Sequence, residues 1–191
     1  MIIPERFLAL GDSFTIGTGT TPDRSFPAVL ARLWTEGGRA VVLSNPAVNG
    51  YTTDDLLQYE LALVVSFRPT LITLLIGAND IVQGSSDDRY RGQLRSIHQM
   101  IRSDAPDARV IALPQPDWSL SPAGSGFGEP AAIARKIERF NEIARNEGRA
   151  RSRGVDRSLP VDARAGPQKD GCSRRATSVR RGIRRVGAGA R

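Results

Sequence analysis

A chain of 191 residues with 27 Lys and Arg against 20 Asp and Glu is long enough for one domain with a substantial core and short for two. A single cysteine, Cys172, excludes an internal disulfide, and with His98 as the one histidine the donor set for a Cys/His zinc site is missing. The net charge of +7 suggests nucleic acid or a membrane surface until it is divided: residues 1–148 hold 14 basic and 17 acidic side chains, residues 149–191 hold 13 and 3.

The basicity therefore belongs to the tail. No aromatic residue follows Phe140, and residues 149–191 are mostly Arg, Gly, Ala, Ser and Pro. Such a segment buries too little apolar area to offset its ordering entropy, which predicts disorder for 149–191 and a domain over 1–148. No apolar run approaches the ~20 residues of a membrane helix, and no charged segment with an apolar core and cleavage site opens the chain. A cytoplasmic protein without a membrane span is expected.

Phe7-Leu8-Ala9-Leu10 reads as a short buried strand ended by Gly11. A helix follows over Pro27 to Trp34, with Ser25 as a candidate N-cap and Gly37-Gly38 as its stop. Ala40-Val41-Val42-Leu43 is the second strand, stopped at Asn45-Pro46. Thr53 can cap the next helix, whose first turn holds Asp54 and Asp55 and which ends near Arg68-Pro69. Leu71 to Ile76 is apolar on both faces, the pattern of a central parallel strand.

A second cycle repeats the grammar. A helix over about Asp87 to Ser103 carries Leu94, Ile97 and Ile101 on one stripe, and Arg109 to Leu113 is the fourth strand. A Pro-, Ser- and Gly-rich loop from Pro114 to Gly128 contains Trp118. The helix from Pro130 places Ile133, Ile137, Phe140 and Ala144 on one face. The alternation predicts a doubly wound α/β sheet with right-handed crossovers. A fifth strand and closing helix are due after Gly148, and the tail has neither pattern.

Ligands of open parallel sheets bind beyond the C-terminal strand ends. Three such ends carry polar, glycine-rich turns: Gly11-Asp12-Ser13, Asn49-Gly50 and Gly77-Ala78-Asn79-Asp80. A serine opening a helix can attack an acyl carbonyl, and the resulting oxyanion needs pre-oriented donors. The Ser13 and Gly50 N–H groups and the Asn79 amide are donors of the right kind. Asp12 reads as the cap of its turn and Asp80 as the holder of the Asn79 loop, neither as an acid or base. Trp118 either lines a pocket or packs its own loop.

These blocks resemble those of the GDSL/SGNH ester hydrolases. "GDSFTIG" is similar to the family's first block, "NPAVNGYTT" to its glycine block and "LLIGANDI" to its G-x-N-D block, in the same order and spacing. The resemblance covers about residues 5 to 147 and includes the loop "PDWSLSPAG", similar to loops of bacterial, lysophospholipase-like members. It implies a flavodoxin-like three-layer αβα fold with strand order 2-1-3-4-5. It also implies Ser13 as nucleophile, Ser13, Gly50 and Asn79 as oxyanion donors, and hydrolysis of small ester or thioester substrates with no metal or other cofactor.

The family takes its general base from a C-terminal D-x-x-H block, often D-G-x-H-P-S. This chain has no histidine after His98, which reads as a residue on the surface of its helix. Asp170-Gly171-Cys172-Ser173 puts a serine where the histidine belongs. A change of reading frame accounts for the absence, the arginine excess and the lost strand together. Back-translated with permitted codons and read one nucleotide later, Arg174 to Arg191 encodes DGRHPSAAAYAAWARAR, with the histidine codon straddling Thr177 and Ser178. The fixed second bases of Thr177, Ile183 and Val186 fall where that block needs them.

Two other readings stand beside an ester hydrolase impaired by loss of its base. One is a non-catalytic binder that keeps the acyl pocket. The other is a polybasic arm, with Arg174-Arg175, Arg180-Arg181 and Arg184-Arg185 on phosphates, for which steeply salt-dependent DNA binding would be diagnostic. An out-of-frame GC-rich gene yields the same arginines, so no nucleic-acid partner is expected.

Overall fold

The computed structural model describes residues 3–122 and 124–153; the basic segment from 154 onward, with Cys172 and the block from Arg174, lies outside the described residues. Four parallel strands form one sheet: β1 (Glu5–Gly11), β2 (Val41–Ser44), β3 (Leu71–Leu75) and β4 (Arg109–Ala112), in the order β2-β1-β3-β4. This is the expected 2-1-3-4-5 order as far as the fourth strand. Phe7 pairs with Leu71 and Gly11 with Leu75, so β1 and β3 end level and their loops leave side by side.

Alternation along β1 sorts its side chains between two cores. Phe7 and Ala9 join Leu71, Leu30, Trp34 and Leu43 beneath α2 (Phe26–Glu36). Leu8 and Leu10 join Ile72 and Leu74 in the larger core on the opposite face. That core is roofed by α4 (Ala62–Phe67), α6 (Asp87–Asp104) and α7 (Pro130–Arg153). Tyr90 of α6 stacks on Phe140 of α7 with centroids 4.1 Å apart, and its hydroxyl donates to the Ile76 carbonyl at 2.9 Å. An aromatic pair of this kind contributes about 1 kcal/mol beyond area burial.

Local details differ from expectation for identifiable reasons. Ser25 precedes α2 but its hydroxyl donates backward to the Pro22 carbonyl at 2.8 Å and caps nothing. The cap of α3 (Thr53–Asp55) is Thr52, in a capping box with Asp55, because the Thr53 side chain is committed to Asp80. The helix expected through Arg68 is interrupted by a π-helical turn, Leu56–Glu60, in which Leu61 N–H reaches the Leu56 carbonyl. His98 is buried on α6 rather than on its surface. The last helix buries Ile143 on its stripe, leaves Ala144 half-buried, and continues past Gly148 to Arg153.

Among the described residues no strand pairs with the outer edge of β4. Val110 and Ile111 there are 36% and 47% exposed, although residues at this level of β3 are fully covered. An open apolar edge is a template for pairing with another chain. Ile111→Lys is accordingly expected to lower self-association in light scattering while shifting the thermal midpoint little; unchanged scattering would show that this edge is not the sticky one.

Candidate active site

β1 ends at Gly11, and its φ of 155° turns the chain into α1 (Ser13–Ile16) without a Cβ, which would lie 2.2 Å from the Leu75 carbonyl oxygen. Asp12 caps α1, its Oδ1 accepting from Phe14 N–H at 3.0 Å. Ser13 is thereby the first helical residue, half-buried at the sheet's C-terminal end. After β3, Gly77 (φ 128°) opens α5 (Ala78–Val82) and sets Asn79 and Asp80 in its first turn.

The third turn is laced to α5. The Asn79 Nδ2 donates to the Tyr51 carbonyl at 2.8 Å, and the Asp80 carboxylate accepts from both the N–H and the hydroxyl of Thr53. Asp80 thus holds the segment after Gly50 against α5, and Asp12 fixes its own turn. Neither faces outward: both are buried. Burial pushes the Asp80 carboxyl above its usual range against the two bonds from Thr53.

Ser13 and Asn79 line one cavity of about 360 Å³, together with Phe14, Asn49, Val82, Trp118 and Phe127. A volume of this size suits a small ligand. Trp118 and Phe127 meet edge-to-face, centroids 6.1 Å apart, and form an aromatic wall. Trp118 thus both lines the cavity and packs against Phe127 of its own loop. Gly50 sits beside this set rather than in it: the lining residue of that turn is Asn49, and Gly50 occupies the next, exposed position with φ 89°. No side chain lining the cavity is charged.

His98 is elsewhere. It lies among Leu74, Tyr90, Leu94 and Ala144 under α7, and borders the groove beside β4. The only histidine of the chain is thus not among the residues lining the Ser13 cavity.

Sequence reasoning passed over Glu60. It closes the π-helical turn and is 1% exposed, with Oε2 accepting from Gly11 N–H at 2.9 Å. Burial first, and the neighbouring Asp12 charge further, push its carboxyl up to about 8, against the Gly11 bond. Asp12 is pushed up to about 6, by burial first and with Asp80 adding to it. The signal was available: Leu56, Glu60 and Val64 recur every fourth residue, so an acid occupies a position of the apolar stripe.

Comparison with known proteins gives the chain a family and a fold. Residues 9–175 match the GDSL-like Lipase/Acylhydrolase family. An arylesterase of Vibrio mimicus is 26% identical over 112 residues, 59% of this chain and 56% of that protein. Esterase TesA of Pseudomonas aeruginosa is 25% identical over 109 residues, 57% and 53% of the two chains. The matches thus span about half the length of these relatives. Among solved structures, TesA superposes with a TM-score of 0.63 at 22% identity, covering 77% of this chain and 74% of that one. AlinE4, an SGNH-hydrolase family esterase, gives 0.63 at 22% identity over 80% and 75%. These likenesses concern the fold.

Proposed function

Because the chain belongs to the GDSL-like lipase/acylhydrolase family, we propose that its cavity is built to cleave small uncharged carboxylic esters or thioesters through an acyl group carried on Ser13. One observation carries this reading: Ser13 and Asn79, from two different strand ends, line the same cavity.

In that reaction the Ser13 Oγ attacks the carbonyl carbon and its proton passes to a base. The negative charge that develops on the carbonyl oxygen is taken up by the N–H groups of Ser13 and Gly50 and by the Asn79 amide. One N–H of that amide is held by Tyr51, which aims the group, and the second serves the oxyanion. The alcohol or thiol then leaves with a proton, and water releases the acid from Ser13. Phe14, Val82, Trp118 and Phe127 receive the acyl chain, and the uncharged walls disfavour ionic acyl groups.

The base belongs to a D-x-x-H block encoded in the alternative frame over Arg174 to Arg191, so this chain is an ester hydrolase without its proton acceptor. The nucleotide sequence tests that directly: no D-x-x-H codons in the shifted frame would refute it. Hydrolysis of p-nitrophenyl butyrate by this chain is expected near background. Butaneboronic acid, which adds to a serine as a tetrahedral oxyanion mimic, should quench Trp118 fluorescence, and Ser13→Ala should weaken that binding at least about tenfold. The absence of the one histidine from the cavity favours a second reading, a non-catalytic acyl binder. That reading predicts binding of butyrate and of the boronic acid with equal affinity and no dependence on Ser13.

A further inference from the structure

Three acids stand buried behind the Ser13 turn: Asp12 at the start of α1, Glu60 on the π-helical turn and Asp80 on α5. Asp80 has both its carboxylate oxygens occupied by Thr53. The other two differ. Glu60 Oε2 accepts the Gly11 amide, and Asp12 Oδ1 accepts the Phe14 amide with the Ala78 amide also acting on that carboxylate, but Glu60 Oε1 is buried with no hydrogen-bond partner. A carboxyl buried with one unpartnered oxygen and a second acid nearby is relieved by keeping its proton, while Oε2 retains the Gly11 bond.

We propose that Glu60 is a positioning residue for Ser13: buried and carrying its proton, its carboxyl clamps the Gly11 amide through Oε2 and locks the Gly11-Asp12-Ser13 turn. The inference rests on Ser13 being the reactive group only for its meaning, because the clamp itself is read without turnover. Glu60 lies on the π-helical turn, Leu56–Glu60, and single π-turns of this kind recur at functional sites.

The consequence is a pH dependence confined to one loop. Glu60 is faced by Asp12 across the β1 end; on the far side of Asp12 stand Asp80 of α5 and Tyr90 of α6, whose hydroxyl burial also pushes upward. Among the described residues no cation is recorded as acting on Glu60 or Asp12. The Glu60 pKa of about 8 lies above its ordinary 4.5, so its contribution to holding the turn is full below about pH 4.5, declines from there, and is lost once pH rises through 8.

Amide hydrogen exchange of the full chain, read by mass spectrometry, tests the clamp. Protection of the segment containing Gly11 and Phe14, corrected for intrinsic exchange, should fall about thirtyfold between pH 6.5 and pH 9. Glu60→Gln keeps the acceptor for Gly11 without a titrating proton, and should hold that protection within about twofold over the same range. Helix α6 should show no such change in either protein. A merely structural role would move α6 and the turn together. An infrared band of a protonated carboxyl should be present in the unaltered chain at pH 6.5, lose intensity through pH 8 and be weaker in Glu60→Gln by the share of one carboxyl. This second measurement needs only the unaltered chain should the variant not fold. Identical profiles in the two proteins, no protonated-carboxyl band at pH 6.5, or a parallel change in α6 would each overturn the proposal. None of these outcomes depends on whether Ser13 is a nucleophile.

Discussion

A chain expressed from the same gene re-read in the alternative frame beyond the last helix should hydrolyse p-nitrophenyl butyrate faster than the 191-residue chain by a factor on the order of 10⁶. A serine hydroxyl is a weak nucleophile until a neighbouring base takes its proton, and nothing lining the Ser13 cavity can do so. The oxyanion donors alone retain only a small part of the acceleration. Ser13→Ala should return the re-read chain to background, and Asn79→Ala should cost it about 3–4 kcal/mol of transition-state stabilisation. Equal, Ser13-dependent rates in both chains would refute the missing-base account. The re-read chain should also melt at a higher temperature and more sharply, since a fifth strand would cover Val110 and Ile111.

Gly11→Ala should destabilise the domain by roughly 3 kcal/mol or more, seen as a large fall in the urea midpoint. Two effects coincide there. The φ of 155° is closed to side chains, and the new methyl carbon would lie 2.2 Å from the Leu75 carbonyl oxygen and 2.3 Å from Thr15 Oγ1. Both neighbours are themselves fixed, Leu75 by pairing with Gly11 in the sheet and Thr15 by complete burial. Gly19→Ala is the matched control: its φ is also positive, at 88°, but nothing lies within 4 Å. Only the backbone penalty of about 1 kcal/mol is expected for it. Equal losses at the two positions would mean that the close approach to β3 adds nothing.

The sheet was legible because its strands obey one rule each. Leu71 to Leu75 is apolar throughout and proves buried throughout, and the alternation of β1 proves to be a division between two cores. The turns after β1 and β3 were legible because only glycine tolerates the backbone at Gly11 and Gly77. What could not be read is what depends on side-chain competition. Thr52 and Thr53 are equally good caps in sequence, and Asp80, far along the chain, decides between them by taking Thr53. The π-helical turn changes register by one residue, which no periodicity of 3.6 announces. His98 neighbours Ile97 on its helix, and the packing of α7 over α6 widens the buried stripe enough to include it.

Placing β1 between β2 and β3 also orders events during synthesis. The first strand to leave the ribosome is the one that must finish in the middle of the sheet, and its partner β3 begins only at Leu71. At translation speeds of about 5–20 residues per second, the intervening stretch of about 60 residues takes roughly 3–12 seconds. Through that interval Leu8 and Leu10 have no sheet to enter, and β2 alone can offer one edge. A nascent chain of this topology therefore keeps an apolar strand uncovered near the exit tunnel. That exposure ends when Ile72 and Leu74 arrive, well before the basic tail is translated.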